Sequence, residues 1–172
     1  MIRRVFLVIG LSFGLSGCME TGTSSPKVAV SKASPASFIT TFDRYCAANI
    51  GNLDKAVRLL QKDGYVPMAK IDKTLTVYSR SPNQPFVGID SFKGSPIACA
   101  VISQPDKSLK PAVAAYMGRV RGARPIEIDD VRGNFDASWV TDVPYKTFYV
   151  TFTSSDPTFG RIYTFLAGKA QN

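Results

Sequence analysis

No histidine occurs anywhere in the 172 residues. That absence excludes Ser-His-Asp and Cys-His catalysis, together with every metal site built on imidazole. Cysteine is scarce too. Only Cys18, Cys46 and Cys99 are present, and no C-x-x-C spacing stands ready to lower a thiol pKa. Long apolar runs are missing. The stretch from Val5 to Leu15 would make roughly 16 Å of helix at ~1.5 Å per residue, whereas a bilayer core is about 30 Å thick. It is too short to span. No G-x-G-x-x-G motif and no P-loop appears.

What is present begins at the N-terminus. Arg3 and Arg4 precede the apolar run, which ends in the small residues Gly14-Leu15-Ser16-Gly17. A positive start, a short apolar segment and small residues before a cut are the marks of a secretory signal peptide. Leu15-Ser16-Gly17-Cys18 resembles the lipobox of bacterial lipoproteins: an aliphatic residue, two small residues, then Cys. The resemblance implies a diacylglyceryl group on the Cys18 sulfur, cleavage between Gly17 and Cys18, and acylation of the new amine. Two or more acyl chains hold a protein firmly on a membrane, because each buried methylene contributes about 0.8 kcal/mol. By the same resemblance, Met19 rather than Asp after the Cys implies the outer membrane, facing the periplasm.

The chain therefore divides into a signal peptide over 1–17, a lipidated flexible tether over 18–34 and a single domain over 35–172. The tether assignment rests on the Ser/Thr/Lys/Pro-rich composition after Cys18, with few large apolar side chains. The remainder is the length of one ordinary domain and can bury a sizeable core unaided. The formal charge of +8 falls to about +6 once Arg3 and Arg4 leave with the signal. Anionic lipid, lipopolysaccharide or cell-wall polymer fits that charge in this compartment, and nucleic acid is not an expected partner. The Lys and Arg residues are scattered, which also suits a plain solvated surface.

With Cys18 assigned to lipid, Cys46 and Cys99 remain as an even pair in an oxidising compartment and are expected to form a disulfide. Phe38, Phe42, Cys46 and Ile50 recur at helical spacing, and Ile97, Cys99 and Val101 share one strand face, so both thiols point toward a core. Closing a loop of roughly 54 residues stabilises a fold by about 4 kcal/mol in the chain-entropy view. Two separate buried thiols are the alternative.

Ser34-Pro35 opens a helix expected to run to about Asn49. Asn52 caps a second, striped by Leu53, Ala56, Val57 and Leu60 and ended by Gly64. Strands follow at "KTLTVYSR", "PFVGID" and "SPIACAVIS", then a third helix in "DKSLKPAVAAYMGRV" with Pro111 in its first turn, then strands at "FDASWV", "KTFYVTFT" and "RIYTFLAG". Short gaps favour antiparallel pairing. The order predicts an α+β fold: an antiparallel sheet of five to six strands, with two N-terminal helices and one further helix on one face. The two sets of three strands hint at an internal duplication.

Candidate site residues are few. Tyr149 and Tyr163, with Tyr78, fall on one strand face, and if that face is exposed they form a stacking platform for a sugar or peptide, with Arg80 and Arg161 placed to pair with carboxylates. Tyrosines packed at a sheet edge are the plainer reading. Asp129, Asp130 and Asp136 lack the alternation and closing Glu of an EF-hand loop, so no metal site is assigned. No catalytic residue and no cofactor is assigned either, since carboxylate pairs are set by space rather than spacing. A helix-borne Cys, the following "L-x-x-x-G-Y" from Leu60 to Tyr65 and a strand-borne Cys resemble features of small secreted proteobacterial proteins, a likeness that implies no particular activity. The expectation is a lipid-anchored envelope protein with an interaction or structural role. The alternatives are a binder or hydrolase of cell-wall glycan or peptide, and a surface lipoprotein in contact with a host.

Overall fold

A computed structural model describes residues 28–71, 74–128, 135–144 and 146–169. The lipobox with Cys18, the acidic pair Asp129-Asp130 and Tyr145 lie outside the described residues.

Helical structure starts where the sequence places it. Ser34 accepts a hydrogen bond from the Ser37 N–H at 3.2 Å, and Pro35 opens α1, Pro35–Thr41. The expected single helix to Asn49 changes pitch instead. A π-helical turn spans Phe42–Cys46 and a 3-10 turn Ala47–Asn49. The expected stripe survives this, with Phe38, Phe42 and Cys46 wholly buried and Ile50 packed against them. Asn52 caps α2, Leu53–Lys62, by accepting from the Lys55 N–H at 3.1 Å. Gly64, at φ +82°, turns the chain out of α2, and the Tyr65 N–H reaches back to the Leu60 carbonyl. The third helix, α3, covers Leu109–Met117.

Eight strands, not five or six, form one antiparallel sheet, and this corrects the predicted strand number. They are β1 Val66–Ile71, β2 Leu75–Ser79, β3 Phe86–Phe92, β4 Ser95–Ser103, β5 Arg124–Pro125, β6 Phe135–Thr141, β7 Thr147–Asp156 and β8 Gly160–Lys169. The two unforeseen strands, β1 and β5, are the two edges of the sheet, and each contains a proline. Proline argues against a strand in sequence because it gives no ladder N–H, yet an edge tolerates it on the open side.

The spatial order is β1-β2-β3-β4-β8-β7-β6-β5. Two four-stranded meanders meet along β4 and β8, whose register pairs Cys99 with Ala167, Val101 with Phe165 and Ser103 with Tyr163. The two halves thus run outward from a shared centre.

The principal core lies between the helices and one face of the sheet. Phe42 stacks on Phe165 at 3.8 Å between centroids, and Leu60, Val87, Val101, Leu109 and Val113 fill the space around them. A disulfide joins Cys46 to Cys99, tying the π turn to the central strand β4. The opposite face is apolar as well, with Val77, Phe86, Ala100, Ile102 and Ile162 in a second cluster.

Val30 belongs to that second cluster, although it falls in the stretch expected to be a tether. Residues 28–33 lie across the sheet as a strap. The Val28 N–H donates to the Thr158 carbonyl at 3.0 Å, the Gln104 side chain donates to the Val30 carbonyl at 2.7 Å, and the Ser31 hydroxyl donates to the Gln84 carbonyl. Ser103, fully buried, accepts from the Ala33 N–H and donates to the Ser31 carbonyl, each at 3.0 Å.

Candidate functional site

The tyrosines singled out in sequence do share one face, but it is the face the helices cover. Tyr78, Tyr149 and Tyr163 are 8%, 6% and 2% exposed. Tyr163 packs on Phe38 at 5.8 Å and Tyr149 on Phe42 at 6.4 Å. Their hydroxyls are pushed above the ordinary phenol range, chiefly by burial. They are core residues and offer no stacking platform. Arg161 sits exposed at the start of β8. Asp136 accepts from Lys110 at 2.7 Å and from the Thr153 hydroxyl at 3.0 Å, an ordinary surface cluster. Among the described residues no group of three His, Cys, Asp or Glu side chains could hold a metal ion.

Arg80 is different. It stands just beyond β2 on the wall of a cleft of about 480 Å³, opposite α1 and the π turn. No local spacing marks its neighbours. Arg44 and Tyr45 come from the π turn, Asp63 and Tyr65 from the end of α2, and Gln84 from the turn before β3. A π turn inserts an extra residue per turn and is a recurrent feature of functional sites. Here it ends on Cys46, so the disulfide fixes the side of the cleft that carries Arg44 and Tyr45.

Three donors converge on one oxygen. Arg44 gives Asp63 Oδ2 two hydrogen bonds, from Nε at 3.0 Å and a terminal nitrogen at 2.7 Å, and the Tyr45 hydroxyl adds a third at 2.7 Å. These bonds, that of Tyr45 first and those of Arg44 next, hold the Asp63 carboxyl below its usual range. Burial, and then the bond to Asp63, raises Tyr45 to about 12. The Tyr45 ring meets Tyr65 edge-on at 5.3 Å, and the Arg44 guanidinium lies 5.6 Å from the Tyr45 centroid. Gly64 lets the chain bend between Asp63 and Tyr65, and a β-carbon there would come within 3.8 Å of Arg80 Nε.

Two features remain unpaired in this arrangement. Arg80 makes no hydrogen bond or ion pair to any described residue, and the buried Oε1 of Gln84 has no partner among them. A buried acceptor left without a partner costs about 1–3 kcal/mol. Among the described residues Asp63 is the one carboxylate lining the cleft, and it is fixed by three donors. It is an anchor for Arg44 and Tyr45, poorly placed to give or take a proton. The cleft brings together a cation, a fixed carboxylate and aromatic walls.

A wider groove of about 860 Å³ runs between the 3-10 turn, α3 and the β6–β7 connection, with exposed Val143 and the cis peptide before Pro144 on its rim. Its cations, Lys55 and Arg121, are exposed, and the Tyr149 hydroxyl at its floor is hydrogen-bonded to Thr141 and Thr147. No protein-family model, curated protein or solved structure matches this chain.

Proposed function

We propose that this is a lipid-anchored protein of the bacterial cell envelope, held by acyl chains on Cys18 at the outer membrane, whose folded domain binds a partner in the periplasm without catalysing a reaction. The observation that carries the reading is the Cys46–Cys99 disulfide in the core. A structural disulfide belongs to an oxidising compartment. It uses the two thiols of the folded domain and leaves Cys18, inside its lipobox-like setting, as the remaining one. Attachment to one membrane confines the domain and raises its effective concentration for partners there.

Replacing Cys18 with Ser and fractionating the cells tests the anchor. The wild-type protein is expected with the membranes and a Ser variant from which residues 1–17 have been cut in the soluble periplasmic fraction. Membrane partitioning of the cut Ser variant, or an unmodified Cys18 by mass spectrometry, overturns the anchor.

A narrower second reading, a binder of cell-wall peptide, is favoured by one specific observation. The cleft around Arg80 offers a cation with no hydrogen bond or ion pair to any described residue, and the one carboxylate among the described residues lining it is immobilised. That arrangement suits holding a ligand better than hydrolysing one.

A further inference from the structure

Resting on the peptide-binding reading, we propose that the cleft between α1, the π turn and Arg80 takes the carboxylate end of a peptide. Arg80 receives the carboxylate, and Asp63 Oδ1 accepts an N–H group from the last residues.

The charge count selects the anion. Arg44 and Asp63 neutralise one another at 2.7 Å, so the ionic groups lining the cleft leave a single positive charge, on Arg80. One net charge beside a carboxylate suits a monoanion. A phosphate dianion would meet the Asp63 carboxylate at close quarters. The planar guanidinium of Arg80 presents paired N–H donors that match the two oxygens of a carboxylate, the geometry in which such bonds are strongest.

The acceptor selects what the anion is attached to. All three hydrogen bonds to Asp63 end on Oδ2, which leaves Oδ1 without one to any described residue. A ligand that brings only an anion would give Asp63 Oδ1 no donor. A peptide terminus brings the anion and backbone N–H donors together. The cleft volume of about 480 Å³ lies within the usual range for small-ligand sites. Tyr45 and Tyr65 supply aromatic walls for a short side chain.

The test is an NMR titration of the purified full chain with N-acetyl-alanyl-alanine and, separately, with the same dipeptide carrying a C-terminal amide. The free acid is expected to shift amide signals of residues 40–45, 63–65, 80 and 84 in a saturable way. The amide should bind at least tenfold more weakly, because it lacks the charge that Arg80 pairs with. Arg80→Gln should lose at least tenfold for the acid while keeping the wild-type unfolding temperature, since Arg80 is exposed and unpaired. Equal binding of acid and amide, or no shift in these residues, overturns the proposal. So does saturable binding of inorganic phosphate or of phosphatidylethanolamine vesicles that Arg80→Gln abolishes while the peptide leaves the cleft signals unmoved. Each of these results is independent of where the Cys18→Ser variant fractionates, so anchoring and ligand class stand or fall separately.

Discussion

Asp63 Oδ2 is the most heavily used polar atom in the cleft, and Tyr45 is the neighbour whose removal is cleanest to read. Its ring is buried against Tyr65, so Tyr45→Phe keeps the packing and deletes a single hydrogen bond. The expected loss is about 1 kcal/mol in urea unfolding, the usual net worth of such a bond. The Asp63 carboxyl should also titrate closer to the ordinary range in that variant, because the bond from Tyr45 is the foremost cause of its depression. Unchanged stability and an unchanged Asp63 titration would show that Arg44 alone holds the carboxylate. At this scale Arg80 was the sole cleft residue legible in sequence. Arg44 and Asp63 are nineteen positions apart and meet because the π turn packs beside the end of α2. No local spacing encodes that approach. The tyrosines illustrate a different limit. Alternation shows which side chains share a face, and it placed Tyr149 and Tyr163 together. It does not show which face the helices cover when the other also carries Val77, Ala100 and Ile102.

Elements with strong periodicity and sharp caps were legible. α1 opens at Pro35, α2 at Leu53 after Asn52, and Pro111 sits in the first turn of α3. Six strands also followed from alternation. β1 and β5 did not, because each holds a proline and lies at an edge, where pairing on one side suffices. The switch from α to π geometry at Phe42 was equally silent, since Phe38, Phe42 and Cys46 keep a helical spacing through it. The disulfide ties this π turn to β4, at the centre of the sheet. Replacing both Cys46 and Cys99 with Ala is expected to cost about 2–5 kcal/mol. Hydrogen exchange should then quicken first at residues 42–46, ahead of β4 and β8. Uniform loss of protection across the sheet would place the role of the bond in global stability alone.

Across the whole molecule, the lack of histidine has a measurable consequence. Histidine is the side chain whose ordinary range lies near neutrality, the chain has none, and Cys46 and Cys99 are joined. Asp63 and Asp106 are held below their usual range, Asp63 chiefly by Tyr45 and Asp106 by Ser108. A depressed carboxyl contributes stability that is complete above its unfolded pKa of about 3.9 and is lost as pH falls through that range. Raised phenols act in the opposite direction. Tyr45, raised to about 12, contributes fully below an unfolded value of about 10, and that contribution disappears as pH climbs toward 12. Tyr65 and Tyr116 are raised as well, by burial first. The urea midpoint should therefore be flat from about pH 5 to 9 and fall on both sides. A slope near pH 6–7 would contradict this. The strap over residues 28–33 adds a geometric bound. It meets the fold at Thr158 and passes Gln84, so the chain enters the domain beside the cleft. Nine residues lie between Cys18 and Val28, a leash of at most roughly 35 Å when drawn straight. Fastened by fat at Cys18, the Arg80 cleft would patrol a shallow shell above its own leaflet and could not reach across a wide gap to a distant one.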